Sequence, residues 1–416
     1  MRILWLSHLI PYPPKAGVLL RSYNLLLQLA RVHDVDLLSF VQMGYLETFY
    51  PSYESGIADT RQALSAFCKH VEFIPIPSEQ RPLGKYFLAA KSLFTKKPYS
   101  INWLSSPLYS KSLSRLVAEN RYDIIHFDTI SLAPYRLFCP SVKTVLDHHN
   151  IESHMMLRRA ENAHLLARPY YWQEGLRLRS YERKVCSHFD LHITCSELDA
   201  QRLLKVDPGL SVKVMPNGVD PLYFCPAGRN TADKTVIFVG SMNWYPNVEA
   251  MRYFISAVWP ALKREVPDAK LHVVGAHPPR SLLDLAQLDP SITFFGFVSD
   301  VRPYLEEATV YVCPITDGGG TKLKLLDAFA MGKAVVAHPI ACEGINAKHG
   351  ESIMLATTAE EFVSRIRELF ADASLRGVIG GNARKLVLSQ YAYDSIGRDL
   401  CESYERLCGL GSEIKR

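Results

Sequence analysis

A glycine-rich segment near residue 320 contains the residues of this chain best suited to binding a charged small molecule. It contains, in order, Gly318, Gly319, Gly320, Thr321, Lys322, Leu323, Lys324 and Asp327. Consecutive glycines let a ligand approach the backbone closely, and a helix predicted to begin at about Thr321 would point free N–H groups into the loop. Cations are normally disfavoured in a first helical turn, so Lys322 and Lys324 indicate an anion in front of the helix. The segment predicts a phosphate site.

The acid that follows suggests which phosphate compound binds. Asp327 lies about one and a half turns into the predicted helix, where it could accept hydrogen bonds from a ribose diol. The segment lacks the Gly-Lys-Ser/Thr ending of a Walker loop, and the first strand lacks a Gly-x-Gly-x-x-Gly fingerprint. A tight structural turn is the alternative, but three glycines are entropically costly for packing alone. The pattern favours a nucleoside diphosphate.

Alternating strands and helices must position this segment. An apolar strand at 310–314 precedes it, and another at 334–337 follows the helix. The same alternation along the whole chain predicts an α/β fold with two doubly wound, Rossmann-like domains, residues 1–216 and 217–392. Ligands bind at the carboxyl ends of such parallel strands, so we expect loops of both domains to face a central cleft.

Composition sets further limits. The chain has 416 residues, 48% of them hydrophobic and 21% charged, which predicts two globular domains without repeats. A net charge of +5 suits an anionic ligand or a membrane surface and falls short of a nucleic-acid-binding protein. Nine scattered cysteines, without Cys-x-x-Cys or histidine pairs at metal spacing, predict no metal site and buried thiols in a reducing compartment.

Neither a signal peptide nor a spanning helix is predicted. The apolar run at the N-terminus is short and lacks a small-residue cleavage site, and no apolar run reaches about 18 residues. We therefore expect a cytoplasmic protein, with a peripheral contact at the inner face of the membrane left open. Residues 83–104 and 155–178, rich in aromatic and basic side chains, could meet lipid or a lipid-linked acceptor. Ordinary helix packing with solvated charges is the more common explanation.

Several motifs in register resemble one family. The C-terminal half carries Pro216–Asp220, Val239-Gly240, Val274-Gly275, Phe295-Gly296, Gly318–Asp327 and Gly332–Val336. The N-terminal half carries Pro11–Gly17, Asn24–Ala30, Tyr122–His126 and Leu146–Glu152. The first set is similar to the donor half of family-4 (group 1) glycosyltransferases of the GT-B fold, and the second resembles the acceptor half more loosely.

The resemblance implies a retaining hexosyltransferase that uses a nucleotide diphosphate sugar, UDP- or GDP-linked, without a bound metal or cofactor. It also implies that a C-terminal helix, residues 393–416, returns to the first domain. The partners implied are the donor and a glycan or lipid-linked acceptor, with no nucleic acid, in surface glycan or exopolysaccharide biosynthesis.

The resemblance also implies roles for individual residues. In the donor site, backbone groups would bind the diphosphate, lysines would neutralise its charge, and the acid would hold the ribose. These donor residues are Gly17, Gly240, Ser241, Phe297, Val298, Gly318, Gly319, Gly320, Thr321, Lys322, Leu323, Lys324 and Asp327. Catalytic roles are implied for Lys324, Asp327 and His149, the last beside the transferred sugar, and an acceptor contact for His126. A strand-end histidine that only holds a turn is the alternative for His149.

Two departures from the family pattern bear on activity. Gly319 stands where the first acid of the family's paired-glutamate motif is expected, and the second acid is Asp327 rather than glutamate. Two other functions therefore stay open: a nucleotide-sugar epimerase of the same fold, and a catalytically silent GT-B subunit that binds nucleotide sugar. Lys322, Lys324 and Asp327 argue against the silent subunit, whereas Gly319 in place of an acid argues for it.

Overall fold

The computed structural model describes residues 1–14, 17–228, 234–317 and 321–410. They form two compact units, each built around its own parallel sheet. The first unit holds the described residues up to Pro216 and those from Ile396 onward, and the second holds those from Asn217 to Ser395. The α/β class with two Rossmann-like domains is confirmed.

The first unit contains a seven-stranded sheet in the order β3-β2-β1-β4-β5-β6-β7. Its strands are β1 (Arg2–Ser7), β2 (Asp34–Val41), β3 (His70–Pro75), β4 (Ile124–Phe127), β5 (Lys143–His148), β6 (Leu191–Thr194) and β7 (Val212–Val214). Helices cover both faces, so the strands are apolar on both sides, and residues 3–6 of β1 are fully buried. The strand order reverses between β1 and β4, which places the switch point of the fold there.

The helices of this unit lie between the strands. They are α1 (Gly17–Ala30), α2 (Met43–Leu46), α3 (Tyr53–Ser65), α4 (Gly84–Leu93), α5 (Tyr99–Trp103), α6 (Pro107–Glu119), α7 (Glu152–Asn162), α8 (Arg168–Val185) and α9 (Glu197–Val206). Short 3-10 segments occur at Pro77–Glu79, Ile130–Phe138 and Cys186–His188.

The second unit contains a six-stranded sheet in the order β10-β9-β8-β11-β12-β13. Its strands are β8 (Thr235–Val239), β9 (Lys270–Val274), β10 (Ile292–Gly296), β11 (Val310–Cys313), β12 (Val335–Ala337) and β13 (Met354–Leu355). Its helices are α10 (Tyr245–Tyr253), α11 (Trp259–Glu265), α12 (Arg280–Gln287), α13 (Arg302–Glu307), α14 (Leu323–Ala330), α15 (Ala359–Ala371) and α16 (Ala373–Gln390), with a 3-10 segment at Pro339–Cys342. The strand order reverses between β8 and β11, which is the switch point of this sheet.

The last helix, α17 (Tyr393–Leu407), packs on the first unit. A side chain added at Gly397 would lie 2.5 Å from the Cβ of Gln28 in α1, so the two helices are in close contact. The hydroxyl of Tyr404 lies 2.6 Å from Nδ1 of His126. The C-terminal helix is thus bound into the core of the first unit.

Two predicted helices differ from the structure. Helix α14 begins at Leu323 rather than Thr321, because Lys322 is the N-cap and has extended backbone angles (φ −82°, ψ 94°). The sequence of residues 247–265 also predicts one continuous helix, but the structure interrupts it with a π-helical turn at Phe254–Val258, just before Pro260. Proline lacks the N–H that would continue the regular hydrogen-bond ladder.

All nine cysteines are free thiols. Cys225 is exposed and Cys342 and Cys408 are partly exposed, whereas the others are buried as predicted. Among the described residues, no helix has both the length and the apolar composition needed to cross a membrane.

Candidate functional site

In the second unit, a lysine cluster lies at the switch point of the sheet. It consists of Gly240, Trp244, Asn247, Lys322 and Lys324. The Lys324 ammonium, in the first turn of α14, donates a hydrogen bond to Oδ1 of Asn247 in α10. Nδ2 of Asn247 donates to the Ser241 carbonyl at 2.6 Å, just after β8. The amide therefore fixes Lys324 beside the carboxyl end of β8.

Both lysines of the cluster face aromatic rings. Nζ of Lys324 lies 4.9 Å from the centre of the Phe238 ring and 5.6 Å from that of Trp244. Nζ of Lys322 lies 5.8 Å from the same Trp244 ring, although this lysine is only 3% exposed. Two ammonium groups around one indole repel each other, and a bound dianion would relieve that repulsion. The arrangement supports the predicted phosphate site.

The residue before the N-cap of α14 contributes a further polar group. Oγ1 of Thr321 is buried and has no hydrogen-bond partner among the described residues. A buried hydroxyl without a partner is costly, and it lies next to the free N–H groups of the helix N-terminus. These groups could all be satisfied by the oxygens of one phosphate.

Burial shifts the pKa values of Lys324 and Asp327 towards each other. For Lys324, burial and the nearby Lys322 charge lower the pKa to about 8, against opposing contributions from Cys313 and Asp327. For Asp327, one turn further along α14, burial raises the pKa to about 7, although Lys324 opposes the shift. Both side chains therefore titrate near neutral pH in the free protein.

Two glycines make room for the cluster. A Cβ on Gly240 would lie 2.5 Å from Nζ of Lys324 and 2.8 Å from Nδ2 of Asn247. A Cβ on Gly275, which follows β9, would lie 2.0 Å from the carbonyl oxygen of Gly240. Gly275 therefore lets the two strand ends pack this closely, whereas Gly240 leaves room for the side chains of Lys324 and Asn247.

This packing predicts that Gly275→Ala destabilises the protein by about 1–3 kcal/mol, because the clash is with backbone rather than with a flexible side chain. Urea-induced unfolding would measure the change. Gly381→Ala is the matched control: nothing lies within 4 Å of its added Cβ in α16, so stability should stay the same or rise slightly. Equal stability of the two variants would contradict this account of the turn.

The remaining predicted donor residues have varied environments. Phe297 is 69% exposed after the β10 turn, where Gly296 has a φ of +67°. Val298 and Leu323 pack against the hydrophobic core of the unit. Ser241 follows β8, and Gly17 begins α1 in the first unit. Three predicted residues, Gly318, Gly319 and Gly320, lie outside the described residues. The roles proposed for all of them stay predictions.

In the first unit, a carboxylate cluster lies at the other switch point. It consists of Ser7, His8, Ser22, Asp128 and His149. Asp128, fully buried after β4, lies 3.1 Å from Nδ1 of His8 and 3.1 Å from Nε2 of His149. It also accepts hydrogen bonds from the hydroxyls of Ser7 (3.1 Å) and Ser22 (2.9 Å). The predicted residue His149 is therefore held by an aspartate that the sequence analysis missed.

The imidazole side chains of His8 and His149 stabilise the carboxylate charge of Asp128. Burial alone would raise the pKa of Asp128, but attraction and hydrogen bonding to His149 and His8 hold it well below its usual range. Burial disfavours the charged form of His149, yet Asp128 and Asp147 outweigh burial and the Arg21 charge, so the pKa of His149 is raised. The cluster thus favours an imidazolium beside a buried carboxylate, able to donate a proton or a hydrogen bond.

Two neighbours complete this region. Arg21 donates to both carboxylate oxygens of Asp147 at 3.1 Å, and to the carbonyls of Met215 and Pro216. His126, predicted to contact the acceptor, is fully buried, stacks on Trp5 at 3.6 Å between ring centres, and bonds Tyr404. Its position is that of a core histidine anchoring α17, so the acceptor contact stays a prediction without geometric support.

Sequence reasoning could have found some of the missed residues. Asp128 directly follows the apolar strand 124–127, and acids at strand ends are candidates for a site. Arg21 is a lone arginine within an apolar helix, which indicates a buried partner. No local signal marks Asn247 or Trp244, because only the tertiary fold brings α10 beside α14.

Two family sequence profiles match the chain. The profile described as Glycosyl transferases group 1 matches residues 233–372, and that described as Glycosyltransferase Family 4 matches residues 54–223. Each profile covers most of one structural unit.

Two curated relatives share about a quarter of their aligned residues with this chain. An uncharacterized 44.6 kDa protein in the cps region of Klebsiella pneumoniae is 24% identical over 53% of this chain and 58% of its own length. The phosphatidyl-myo-inositol mannosyltransferase of Mycolicibacterium smegmatis is 26% identical over 57% of this chain and 62% of its own. The chain thus spans less than two thirds of the length of these relatives.

Solved structures share the fold over nearly the whole chain. Sucrose-phosphate synthase from Thermosynechococcus elongatus superposes with a TM-score of 0.72 at 16% identity, covering 98% of this chain and 100% of the other. Anabaena HepE in complex with UDP and glucose gives 0.65 at 15% identity, covering 98% and 100%. With the two profiles and the two Rossmann-like units, these comparisons show that the chain belongs to the family-4 (group 1) glycosyltransferases of the GT-B fold.

Proposed function

We propose that this protein is a retaining, metal-independent glycosyltransferase that moves a hexosyl group from a nucleoside diphosphate sugar to an acceptor in surface glycan or exopolysaccharide assembly. The lysine cluster carries the proposal: two ammonium groups, a buried Thr321 hydroxyl and a helix N-terminus converge at the switch point of the second sheet. Cations at this position stabilise the charge that develops on the departing diphosphate. Asp327 holds the ribose.

The comparisons support the donor class and the pathway. The Anabaena neighbour was solved with UDP and glucose, and one relative is encoded in a cps region. The proposed donor is therefore a UDP- or GDP-sugar. The acceptor is a glycan or a lipid-linked glycan, and the free thiols support a cytoplasmic location.

The carboxylate cluster supplies a second chemical group. His149, charged through Asp128, donates a hydrogen bond to a sugar hydroxyl or to the leaving phosphate. Metal independence needs an experimental test, because the side chains of His8, Asp128 and His149 could together hold a metal ion. Their ligand atoms lie within 4.8 Å of one another.

The first experiment is a thermal shift panel of UDP-, GDP-, ADP- and TDP-sugars, each with magnesium and with EDTA. A ligand that binds only the folded state raises the melting temperature by mass action. One selective shift, equal in magnesium and EDTA, is expected. No shift at millimolar ligand would overturn the donor assignment.

Turnover then separates the alternative functions. A transferase releases nucleoside diphosphate only when acceptor is present, and the product keeps the anomeric configuration of the donor by NMR. Epimer formation without acceptor would favour the epimerase. Donor binding without turnover on any glycan or lipid-linked acceptor would favour the silent subunit, for which Gly319 in place of an acid is the supporting observation.

The pKa values of Asp327 and Lys324 predict a pH optimum for donor binding. Below about pH 7 Asp327 is protonated and accepts ribose hydrogen bonds poorly, and above about pH 8 Lys324 loses its charge. Affinity for the nucleotide sugar, whose diphosphate keeps a constant charge over this range, should therefore peak between these values. Isothermal titration calorimetry across this range would measure it. Asp327→Asn should abolish the acidic limb and, because the Asp327 charge raises the pKa of Lys324, move the basic limb to lower pH. An unchanged acidic limb would contradict the assignment.

A further inference from the structure

The first unit has a large open groove away from the carboxylate cluster. It has a volume of about 1360 Å³ and runs between residues 94–97, the 3-10 segment Ile130–Phe138 and helix α8. Apolar side chains form much of its lining, among them Ala133, Tyr181 and Phe189. We call it the basic groove, because its charged lining residues are lysines and arginines.

Three large apolar side chains that line the groove are exposed to solvent. Phe94 is 91% exposed, Leu137 is 83% exposed and Trp172 is 57% exposed. Single exposed apolar residues are common, but three bordering one groove form a patch that indicates a binding surface. Their burial would be favourable once a partner covers them.

The charged side chains that line the groove are all basic. Lys96, Lys97, Arg136, Arg177 and Lys184 belong to the lining, and none of its described residues is acidic. Residues 83–104 and 130–140, which supply much of this face, contain no aspartate or glutamate at all. The groove therefore complements an anionic partner.

Helix α8 shows how this asymmetry arises. Its two acids face inward: Glu174 is 5% exposed and accepts from the backbone N–H of Tyr99, and Glu182 is 1% exposed and accepts from Ser153. Its exposed charges are all positive, namely Arg168, Arg179, Arg183 and Lys184. Because the acids are bound within the protein, they do not offset the basic surface.

We propose that the basic groove docks on an anionic phospholipid bilayer. Exposed aromatic side chains beside lysine and arginine match the interface of such a bilayer, where rings enter the headgroup region and cations meet phosphate. An acyl chain fits the apolar lining. The proposal deepens the proposed function, since it places the enzyme where a lipid-linked acceptor is found, but it involves none of the nucleotide-sugar residues.

The test is cosedimentation of the full chain with vesicles of phosphatidylglycerol and phosphatidylcholine, compared with phosphatidylcholine alone. Binding is expected on the anionic vesicles and should weaken strongly as salt rises. The triple variant Lys96→Glu, Lys97→Glu, Lys184→Glu should lower the partition coefficient by about 100-fold or more, at roughly fivefold for each lost basic residue. Equal binding to both vesicle types would overturn the proposal.

Matched controls separate the groove from net charge and from folding. Lys111→Glu, Lys205→Glu, Lys385→Glu makes the same charge change at exposed positions outside the groove, and should retain most binding. Phe94→Ser with Trp172→Ser should weaken binding, whereas Leu222→Ser with Leu288→Ser, 84% and 83% exposed in the second unit, should not. Equal losses in groove and control variants would overturn the proposal.

Two further outcomes are decisive. The shift in melting temperature that the nucleotide sugar causes should be the same in wild type and in the groove variants. A variant that loses vesicle binding but keeps this shift supports the bilayer proposal, whether or not the protein is a transferase. If the protein ignores vesicles and instead forms dimers that the groove variants disrupt, the groove is a protein interface and the bilayer proposal fails.

Discussion

Lys324→Met is expected to lower kcat/KM for the nucleotide sugar by about 100- to 1000-fold, the loss typical when a preorganised charge-stabilising group is removed. Methionine keeps an apolar stem beside Phe238 and Trp244 but removes the ammonium. The loss should fall mainly on the step that forms the diphosphate, because that is where negative charge grows. Steady-state kinetics with saturating acceptor would measure it.

The same substitution should not weaken the fold. Burial lowers the pKa of Lys324 to about 8, so the folded chain holds this charge less favourably than the unfolded chain does. Loss of the charge removes this cost but also removes the hydrogen bond to Oδ1 of Asn247, so the melting temperature should change little, while the donor-induced shift disappears.

Lys333→Met is the matched control in the same unit. Burial also lowers the pKa of Lys333 to about 8, but its ammonium donates to the carbonyls of Glu306 and Ala308 at 2.7 Å. Removing it leaves two buried carbonyls unsatisfied, so we expect lower stability with little change in kcat/KM for the folded protein. If Lys324→Met keeps more than about one tenth of wild-type kcat/KM, the phosphate site is wrongly assigned.

Asp128→Asn is expected to cost about 3–5 kcal/mol of unfolding free energy near pH 6, since it breaks a buried charge pair from one side. The amide keeps the shape of the carboxylate but cannot accept from His8, His149, Ser7 and Ser22 as an anion does. Urea-induced unfolding of both proteins from about pH 5 to 8 would measure the difference.

The way in which the cost of Asp128→Asn changes with pH follows from the pKa shifts of Asp128 and His149. The pKa of Asp128 is lowered, so its stabilisation is present above its unfolded pKa of about 3.9 and is lost as pH falls. The pKa of His149 is raised, so its stabilisation is full below its unfolded pKa of about 6.5 and is lost as pH rises through the folded value. The cost of Asp128→Asn should therefore be largest between about pH 4 and 6.5 and decline above that range.

Asp147→Asn provides the comparison. Its hydrogen-bond partner Arg21 is fully buried and keeps its charge in this range, so most of the cost should not change between pH 5 and 8, apart from a smaller part due to the effect of Asp147 on His149. A flat difference for Asp128→Asn would mean that His149 is not charged through Asp128. Its proposed role as a charged donor would then fail.

Periodicity and local chemistry predicted the fold class, which the structure confirms, and the residues of one of the two candidate sites. Apolar runs bounded by turn residues predicted most strands, since strands of a covered parallel sheet must be apolar on both faces. Glycine, lysine and acid spacing predicted Lys324 and Asp327 as a pair. The helix start was misplaced by two residues, because Lys322 becomes an N-cap only in the folded turn.

Tertiary structure decided which polar residues act together. Asp128, His8 and His149 lie far apart in the chain and meet because β1, β4 and β5 are neighbours in one sheet. His126 is only two residues from Asp128, yet it belongs to the core, because it lies within β4 and contacts Tyr404 of α17, whereas Asp128 follows the end of the strand.

The sequence by itself predicted two Rossmann-like domains, a candidate phosphate-binding segment and two basic aromatic segments, because each depends on neighbouring residues alone. Only the tertiary structure decided that Asn247 orients Lys324, that Asp128 lies within hydrogen-bond distance of His149 and that Glu174 and Glu182 turn inward from the basic groove. The physical reason is that charge, burial and hydrogen bonding depend on distances between residues remote in the chain. Those distances are set by sheet order and helix packing.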